Sequence, residues 1–164
     1  MLEASDHLIA SYPDELRHAT QDLLRRKNVE ILLDTKLTDY NGHYATPGDG
    51  RQIATNTMIW TAGIKAAKAL DMLRVERASM GRGRVESTLQ LPQHPEVFDV
   101  GDAAYLVDGN GQALPMLSTV AIQQGKTTAQ DILRTIQGKA VAAFHYKEPG
   151  LLATIGRNAA VACI

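Results

Sequence analysis

The chain has 164 residues, a length that suits one ordinary domain, and its 45% hydrophobic and 21% charged residues allow a sizeable core and exclude wholesale disorder. Seventeen Lys and Arg residues nearly balance eighteen Asp and Glu residues, with no concentrated basic stretch, which argues against nucleic acid as a partner. Cys163 is the only cysteine, which excludes an internal disulfide, a CxxC redox pair and a cysteine-rich zinc site, and predicts a reducing, cytoplasmic setting.

No apolar run reaches the length of about 18 residues needed to cross a bilayer, and the first residues lack the basic and apolar regions of a signal peptide. The sequence therefore predicts neither a membrane span nor a targeting segment. The chain begins directly with an apolar-to-acidic pattern at Met1-Leu2-Glu3. The stretch from Ala159 to Ile164, where it stops, is typical of a strand. We expect both termini to be internal points of a longer fold.

The first predicted element is a helix from about Pro13 to Lys27. Proline suits the first helical turn, acidic residues follow it, and basic residues occupy the last turn, which matches the helix dipole. Apolar residues at helical spacing give this helix one apolar face: Leu16, Ala19, Leu23 and Leu24. Asn28 is predicted to end the helix, and the alternation from Val29 to Leu33 predicts a short strand after it.

The middle of the chain predicts several short strands. A small group of β-strands is expected between Thr35 and Ile53, because two clusters of turn residues separate strand-compatible stretches. The run Thr57–Thr61 predicts a buried strand closed by Ala62-Gly63. A basic loop framed by glycines follows near residue 82, and Val97–Val100 predicts another strand that runs directly into Gly101-Asp102.

A second long helix is predicted to begin at Ser118 or Thr119 and to end before Gly138. Its apolar residues are expected on its buried side: Ile122, Ala129, Ile132, Leu133 and Ile136. The remainder, residues 144–164, predicts extended segments broken by Pro149-Gly150 and Gly156. Helices and short strands thus alternate, which predicts an α/β fold.

Glu3 stands where the second strand of a dinucleotide-binding unit would end. An acidic residue at that position accepts hydrogen bonds from the adenosine ribose hydroxyls, and its charge repels the extra phosphate of NADP, which would favour NADH. The glycine-rich turn G-x-G-x-x-G that should precede it is absent from the chain. A simply solvated glutamate is the alternative interpretation.

Gly101-Asp102 follows an apolar run and precedes a helix. A glycine at the carboxyl end of a buried parallel strand lets a ligand approach the backbone, and the next aspartate can accept hydrogen bonds from a ribityl chain, so the pair would hold part of FAD. An ordinary Gly-Asp turn is the alternative.

Ala121, Ile122 and Gln123 lie in the first turns of the second helix. Unsatisfied amides at a helix start carry positive partial charge, which can stabilise a reduced flavin, and Gln123 can bond the same ring or a quinone oxygen. A solvated glutamine is again the alternative. The five histidines have no metal-ligand spacing, and serine and cysteine nucleophile motifs are absent, so we predict no metal and no catalytic side chain.

Taken together, these stretches resemble the pyridine-nucleotide flavoprotein oxidoreductases with two dinucleotide-binding domains, and specifically type II NADH:quinone oxidoreductase. The resemblance covers essentially the whole chain and rests on six stretches in the family's order: Leu2–Ala4, Met58–Gly63, His94–Ala103, Ala121–Lys126, Phe144–Lys147 and Gly150–Arg157. It is the stretches from Ala121 onward that separate this family from ferredoxin and disulfide reductases. One departure is Thr119, where the family often has a glutamine that supports the quinone contact.

The resemblance implies a partial Rossmann-like, two-dinucleotide-binding-domain flavoprotein fold. Residues 1–57 would be the carboxyl-terminal half of the NADH domain, and residues 58–164 the later part of the FAD domain with the start of the carboxyl-terminal region. Residues expected to contact the cofactors or quinone are Glu3 for NADH, Ala62, Gly63, Gly101 and Asp102 for FAD, and Ala121, Ile122 and Gln123 for the flavin edge and quinone.

By the same resemblance, the intact enzyme moves hydride from NADH to FAD and electrons to a quinone without pumping protons. It would lie on the cytoplasmic face of the membrane through a carboxyl-terminal segment missing here, and it can be a homodimer. Because the first half of the FAD domain is also missing, the fragment is expected to be inactive alone. The alternatives are a non-catalytic module or truncated product that needs a separate amino-terminal half, and a related FAD-dependent NAD(P)H oxidoreductase. A sulfide:quinone oxidoreductase relies on cysteines, and Cys163 alone argues against it.

Overall fold

The computed structural model describes residues 1–164 and divides into two compact units, one formed by residues 1–61 and 149–164 and the other by residues 62–148. The elements in chain order are α1 (Asp14–Arg25), β1 (Leu37–Tyr40), β2 (Tyr44–Pro47), β3 (Ile53–Ala54), β4 (Gly83–Arg84), β5 (Gln90–Leu91), β6 (His94–Phe98), β7 (Ala104–Tyr105), α2 (Ser118–Ile136), β8 (Leu151–Thr154) and β9 (Ala160–Cys163). Short 3₁₀ turns occupy Lys68–Met72, Ser79–Gly81 and Gly101–Ala103. Neither helix is both long enough and apolar enough to cross a membrane.

The first helix follows its sequence signals. α1 begins after Pro13, with acidic residues in its first turn and Arg25 in its last. Asn28 has a φ of +60°, the left-handed conformation that commonly ends helices. The predicted helix is therefore confirmed, with Arg25 rather than Lys27 as its last residue.

The strand predicted after α1 is wrong in extent. In place of a strand over Val29–Leu33, only Leu32 pairs, in an isolated parallel bridge with Leu2. Glu3 N donates to Leu32 O at 2.9 Å, and Leu32 N donates to Met1 O at 2.9 Å. A strand needs a row of backbone partners along its length, and the first residues of the chain supply only this short one.

The small group of β-strands predicted between Thr35 and Ile53 is confirmed as an antiparallel meander of β1, β2 and β3. The buried strand predicted at Thr57–Thr61 is wrong. No backbone hydrogen bond joins Met58–Thr61 to another strand, and Ile59 and Trp60 are 83% and 62% exposed. An apolar run becomes a buried strand only where other strands pair with it, and this unit offers none beside it.

The second unit has a core of buried residues from several short elements: Leu89, Leu106, Leu114, Val120 and Phe144. β6 pairs antiparallel with β5, and Asp99 N extends that pairing by donating to Leu89 O at 3.0 Å. The prediction of a buried parallel strand running into Gly101 is therefore wrong. Parallel pairing occurs instead between β4, which precedes the turn, and β7, which follows it.

α2 has the predicted bounds but not the predicted buried face. Its buried residues are Val120, Gln124, Thr128 and Asp131. The five residues predicted on its buried side are all exposed: Ile122, Ala129, Ile132, Leu133 and Ile136. Partners satisfy only part of this buried polar surface, because Thr128 Oγ1 and Asp131 Oδ2 have no hydrogen-bond partner. Asp131 Oδ1 accepts from Arg134 Nη1 at 2.9 Å and from Ala142 N at 3.1 Å.

The last residues form an antiparallel hairpin of β8 and β9, preceded by Gly150 and turned near Gly156, both with positive φ. The predicted extended segments and their breaks are confirmed. The hairpin groups with residues 1–61, whereas the sequence division put everything after residue 57 together. The domain names given to the two parts stay predictions.

Candidate functional site

The Gly101 turn is held against the start of α2. Gly101 has a φ of +68°, and its N–H donates to Gln124 Oε1 at 2.6 Å. A Cβ at Gly101 would stand 3.3 Å from Ala121 Cβ, so the glycine permits a close approach of turn and helix. Gln124 is 1% exposed. The structure thus brings together two predicted site residues, Gly101 and Ala121, through a residue that was not predicted.

Asp102 follows in the same 3₁₀ turn and is exposed. No ion pair of the protein involves its carboxylate, although its charge acts on Arg82. An exposed carboxylate without a protein partner retains all its acceptor capacity for a ligand hydroxyl.

Arg82 is a buried cation beside this turn, and the sequence indicated only a basic loop. Its Nε and Nη2 donate to Ala104 O at 2.9 and 2.6 Å, and Nη2 also donates to Leu114 O at 3.0 Å. The guanidinium lies 5.2 Å from the ring centroid of Tyr105. Burial lowers the pKa of Arg82, while the negative groups around it, including Asp102, oppose that shift.

Asp99 is a buried acid whose charge also acts on Arg82, and it was not among the predicted site residues. It is 8% exposed, and its Oδ2 atom has no hydrogen-bond partner. Burial raises the pKa of Asp99 to about 6, against the Val100 amide and the Arg82 charge, which both lower it. A Cβ at Gly83 would stand 2.7 Å from Asp99 Oδ2. The signal in the sequence was an aspartate inside the apolar run Val97–Val100.

The start of α2 has no side-chain cap, because Leu117 occupies the N-cap position. Gln123 is instead bonded to the chain that follows the helix: its Nε2 donates to Lys147 O at 2.9 Å and its Oε1 accepts from Lys147 N at 3.1 Å. Thr119 Oγ1 lies 3.0 Å from the hydroxyl of Tyr146. Ile122 is 57% exposed. The first turns of α2 therefore fix the segment around Tyr146, while the side chain of Ile122 faces outward.

Ala62 and Gly63 are exposed and make no hydrogen bond, so nothing ties them to the Gly101 turn. Gly63 has a φ of +83° in open space. A cavity of about 460 Å³ in the same unit lies over the core residues Leu106, Leu114 and Phe144, and none of the predicted site residues lines it.

Glu3 belongs to the first unit and follows the Leu2–Leu32 bridge. Its Oε1 accepts from Ser5 N at 2.9 Å and from Ser5 Oγ at 2.8 Å, and Ser5 Oγ in turn donates to His7 O. The Ser5 amide and hydroxyl lower the pKa of Glu3, which keeps the carboxylate ionised. Glu3 Oε2 makes no hydrogen bond within the protein.

Comparison with known proteins gives concordant matches. The family model described as pyridine nucleotide-disulphide oxidoreductase matches residues 1–125. A protein of Haemophilus influenzae named type II NADH:quinone oxidoreductase is 27% identical over 98% of this chain and 36% of its own length. The protein of the same name from Staphylococcus saprophyticus is 26% identical over 99% of this chain and 41% of its own.

A solved structure, reduced CoADR-RHD from Bacillus anthracis, superposes with a TM-score of 0.78 and 17% identity, covering 94% of this chain and 28% of that one. The predicted α/β fold class is thereby confirmed. The chain spans well under half of the length of each of these proteins.

Proposed function

Because the chain belongs to the pyridine nucleotide-disulphide oxidoreductase family, as the resemblance predicted, we propose that it is part of a flavoprotein NADH dehydrogenase. The intact enzyme transfers hydride from NADH to FAD and passes electrons to a quinone. Residues 1–57 contribute to the NADH domain and residues 58–164 to the FAD domain. The relatives named type II NADH:quinone oxidoreductase support this activity, and the chain's 36–41% share of their length supports a fragment that is inactive alone.

The observation that carries the proposal is the contact between the Gly101 turn and α2. Gln124 Oε1 accepts a hydrogen bond from the Gly101 N–H, and the absence of a side chain at Gly101 lets the turn lie against Ala121. One edge of a ligand can therefore meet the turn and the helix start at once. When bound, FAD supplies the hydride-accepting ring, and the protein supplies orientation and charge.

The residues present fit one side of FAD. The exposed Asp102 carboxylate accepts a hydrogen bond from a hydroxyl of the ribityl chain, next to the pyrophosphate region, and the uncapped amides before Ala121 favour negative charge on a flavin edge. The chain has no G-x-G-x-x-G turn to hold the phosphates. FAD binding by the chain alone is therefore weak or absent. Ala62 and Gly63 join the site only in the longer protein.

Glu3 is proposed to bind NADH. Its Oε1 is committed to Ser5, which orients the carboxylate, and Oε2 stays available for a ribose hydroxyl. The ionised group repels a 2′-phosphate, so NADH is preferred to NADPH.

At the quinone side, Ile122 supplies apolar contact, and Gln123 acts chiefly by holding the Lys147 backbone. Thr119, bonded to Tyr146, takes no quinone contact. Homodimer formation, and a position on the cytoplasmic face of the membrane through a segment outside this chain, complete the proposal.

The test compares the purified chain with the chain co-expressed with the part of the Haemophilus influenzae relative that precedes its matched stretch. We expect no stoichiometric flavin on the chain alone, and visible flavin absorbance with NADH-driven reduction of a soluble quinone in the complex. Asp102→Asn should lower FAD affinity of the complex about tenfold, since it removes a charged hydrogen bond. Asp39→Asn, on an exposed aspartate of β1, should leave it unchanged.

Each other outcome contradicts a named part of the proposal. Stoichiometric flavin and NADH oxidation by the chain alone contradict its dependence on a second part. A complex that oxidises NADH with FAD but leaves quinone untouched points to a related FAD-dependent NAD(P)H oxidoreductase. The absence of flavin in both preparations favours a non-catalytic module.

A further inference from the structure

α2 has its apolar side on the surface of its unit. One exposed face of this helix, spaced by three and four residues, contains five residues that we call the α2 face: Gly125, Ala129, Ile132, Leu133 and Ile136. The opposite side is buried although it is polar, with Gln124 and Asp131 almost fully enclosed. In an ordinary surface helix the apolar stripe faces the core and the polar one faces water.

The inversion is fixed by hydrogen bonds and cannot be relieved by turning the helix about its axis. Gln124 is tied to Gly101, and Asp131 is tied to the Ala142 amide, and both partners lie outside the helix. Rotation would break these bonds and leave buried polar groups unpaired, which costs about 1–3 kcal/mol for each group. The apolar side therefore stays outward until another element covers it.

The shape of the α2 face indicates what covers it. Gly125 and Ala129 are four residues apart and form a shallow notch, because neither has a long side chain. Ile132, Leu133 and Ile136 continue the same face with bulky aliphatic groups, of which Ile136 is 76% exposed. Small residues along one ridge allow a second helix to pack at an interaxial distance of about 8–10 Å.

We propose that the α2 face is the docking surface for a helix in the part of the longer relatives that precedes the stretch matched by this chain. The relatives carry well over half of their length outside the matched stretch, since the chain covers 36% and 41% of them. A second copy of this chain would explain the apolar residues, but it would supply none of the missing length. The inference rests on the proposed function, because that function requires the missing portion.

The experiment uses the co-expressed pair described above and measures recovery of the untagged partner on the tagged chain. Leu133→Glu keeps helix propensity and should lower recovery at least about tenfold, because it puts a charge into the apolar contact. Met72→Glu is the matched control: Met72 is 89% exposed in the same unit but outside the α2 face, and recovery should not change. Circular dichroism should be the same for both variants.

A second variant tests close helix packing. Ala129→Leu adds apolar surface but fills the notch, so recovery should fall about tenfold, whereas a merely sticky patch would bind as well or better. The unaltered chain failing to capture the partner overturns the proposal. Two other results also overturn it. One is a dimer of this chain, detected by size-exclusion chromatography with light scattering, that is lost in Leu133→Glu. The other is binding to anionic phosphatidylglycerol vesicles that depends on Leu133 in the same way.

The docking inference and the proposed function can fail separately. A stoichiometric complex that is sensitive to Leu133→Glu but lacks flavin and NADH oxidation supports the docking surface and refutes the function. A flavin-bound, active complex that tolerates both Leu133→Glu and Ala129→Leu refutes the docking surface and supports the function.

Discussion

Asp99→Asn should change how stability depends on pH, because the carboxyl of Asp99 is buried with one oxygen unpaired. Its pKa rises from the ordinary 3.8 to about 6 on folding. The folded protein thus binds this proton more tightly than the unfolded chain does. Stability from the neutral acid is fully present below pH 4 and is lost as the pH rises through about 6.

The size of this effect follows from the shift. About two pKa units at about 1.4 kcal/mol each give a loss of about 3 kcal/mol in the free energy of unfolding between pH 4 and pH 7. Asparagine has nearly the same shape and no charge to bury. The variant should therefore match the unaltered protein near pH 4 and exceed it by up to about 3 kcal/mol at pH 7.

Urea unfolding followed by circular dichroism, at several pH values between 4 and 8, measures this difference directly. Asp39→Asn, which replaces an exposed aspartate on β1, is the control and should leave the pH profile unchanged. Equal pH profiles for Asp99→Asn and the unaltered protein would refute the reasoning. So would a variant that is less stable at pH 7, which would show that the ionised carboxylate stabilises the fold.

Three further predictions concern the neighbours of Asp99 and the Gly101 turn. Gly83→Ala should lower the free energy of unfolding by about 1–3 kcal/mol, seen as a lower Tm by calorimetry, because the added methyl meets Asp99 Oδ2 at 2.7 Å. Gln124→Leu should speed hydrogen exchange at the Gly101 amide and cost about 1–3 kcal/mol, since a partly buried donor loses its acceptor. Arg82→Met should move the pH at which Asp99 ionises further upward, measured by the same urea series, because the nearby positive charge is lost.

Matched controls for these variants lie nearby. Gly109→Ala places its methyl in open space and should leave Tm nearly unchanged. Gln130→Leu alters an exposed glutamine of α2, and Arg84→Met alters an exposed arginine 5.1 Å from the same tyrosine ring that Arg82 faces. If a control variant changes stability as much as the variant it is matched with, the specific contact is not the cause of that change.

The bounds of both helices and the meander were predictable because their signals are local. Pro13 and Asn28 mark the ends of α1, and turn residues separate β1 from β2. The buried face of α2 was not predictable from periodicity. Its inward side is decided by hydrogen-bond partners such as Gly101, far along the chain from Gln124, and by an apolar surface left uncovered.

The same distinction explains the site. Gly101-Asp102 was found by its position between an apolar run and a helix, whereas Arg82 was not, because its partners Ala104 and Leu114 are 22 and 32 residues away. The strand predicted at Thr57–Thr61 failed for a related reason: strand formation depends on pairing that one segment does not specify.

The side-chain amide of Gln123 takes the place of a backbone peptide group. This amide exchanges two hydrogen bonds with the Lys147 backbone, the same reciprocal ring that joins residues of antiparallel strands. Glutamate lacks the donor and asparagine lacks the reach, so only glutamine closes this ring. A glutamine retained at this position among homologous chains would then follow from the need to return the backbone to the helix, before any quinone is considered. Preservation of Gln123 would accordingly be explained by its role in holding the Lys147 backbone as well as by contact with a substrate.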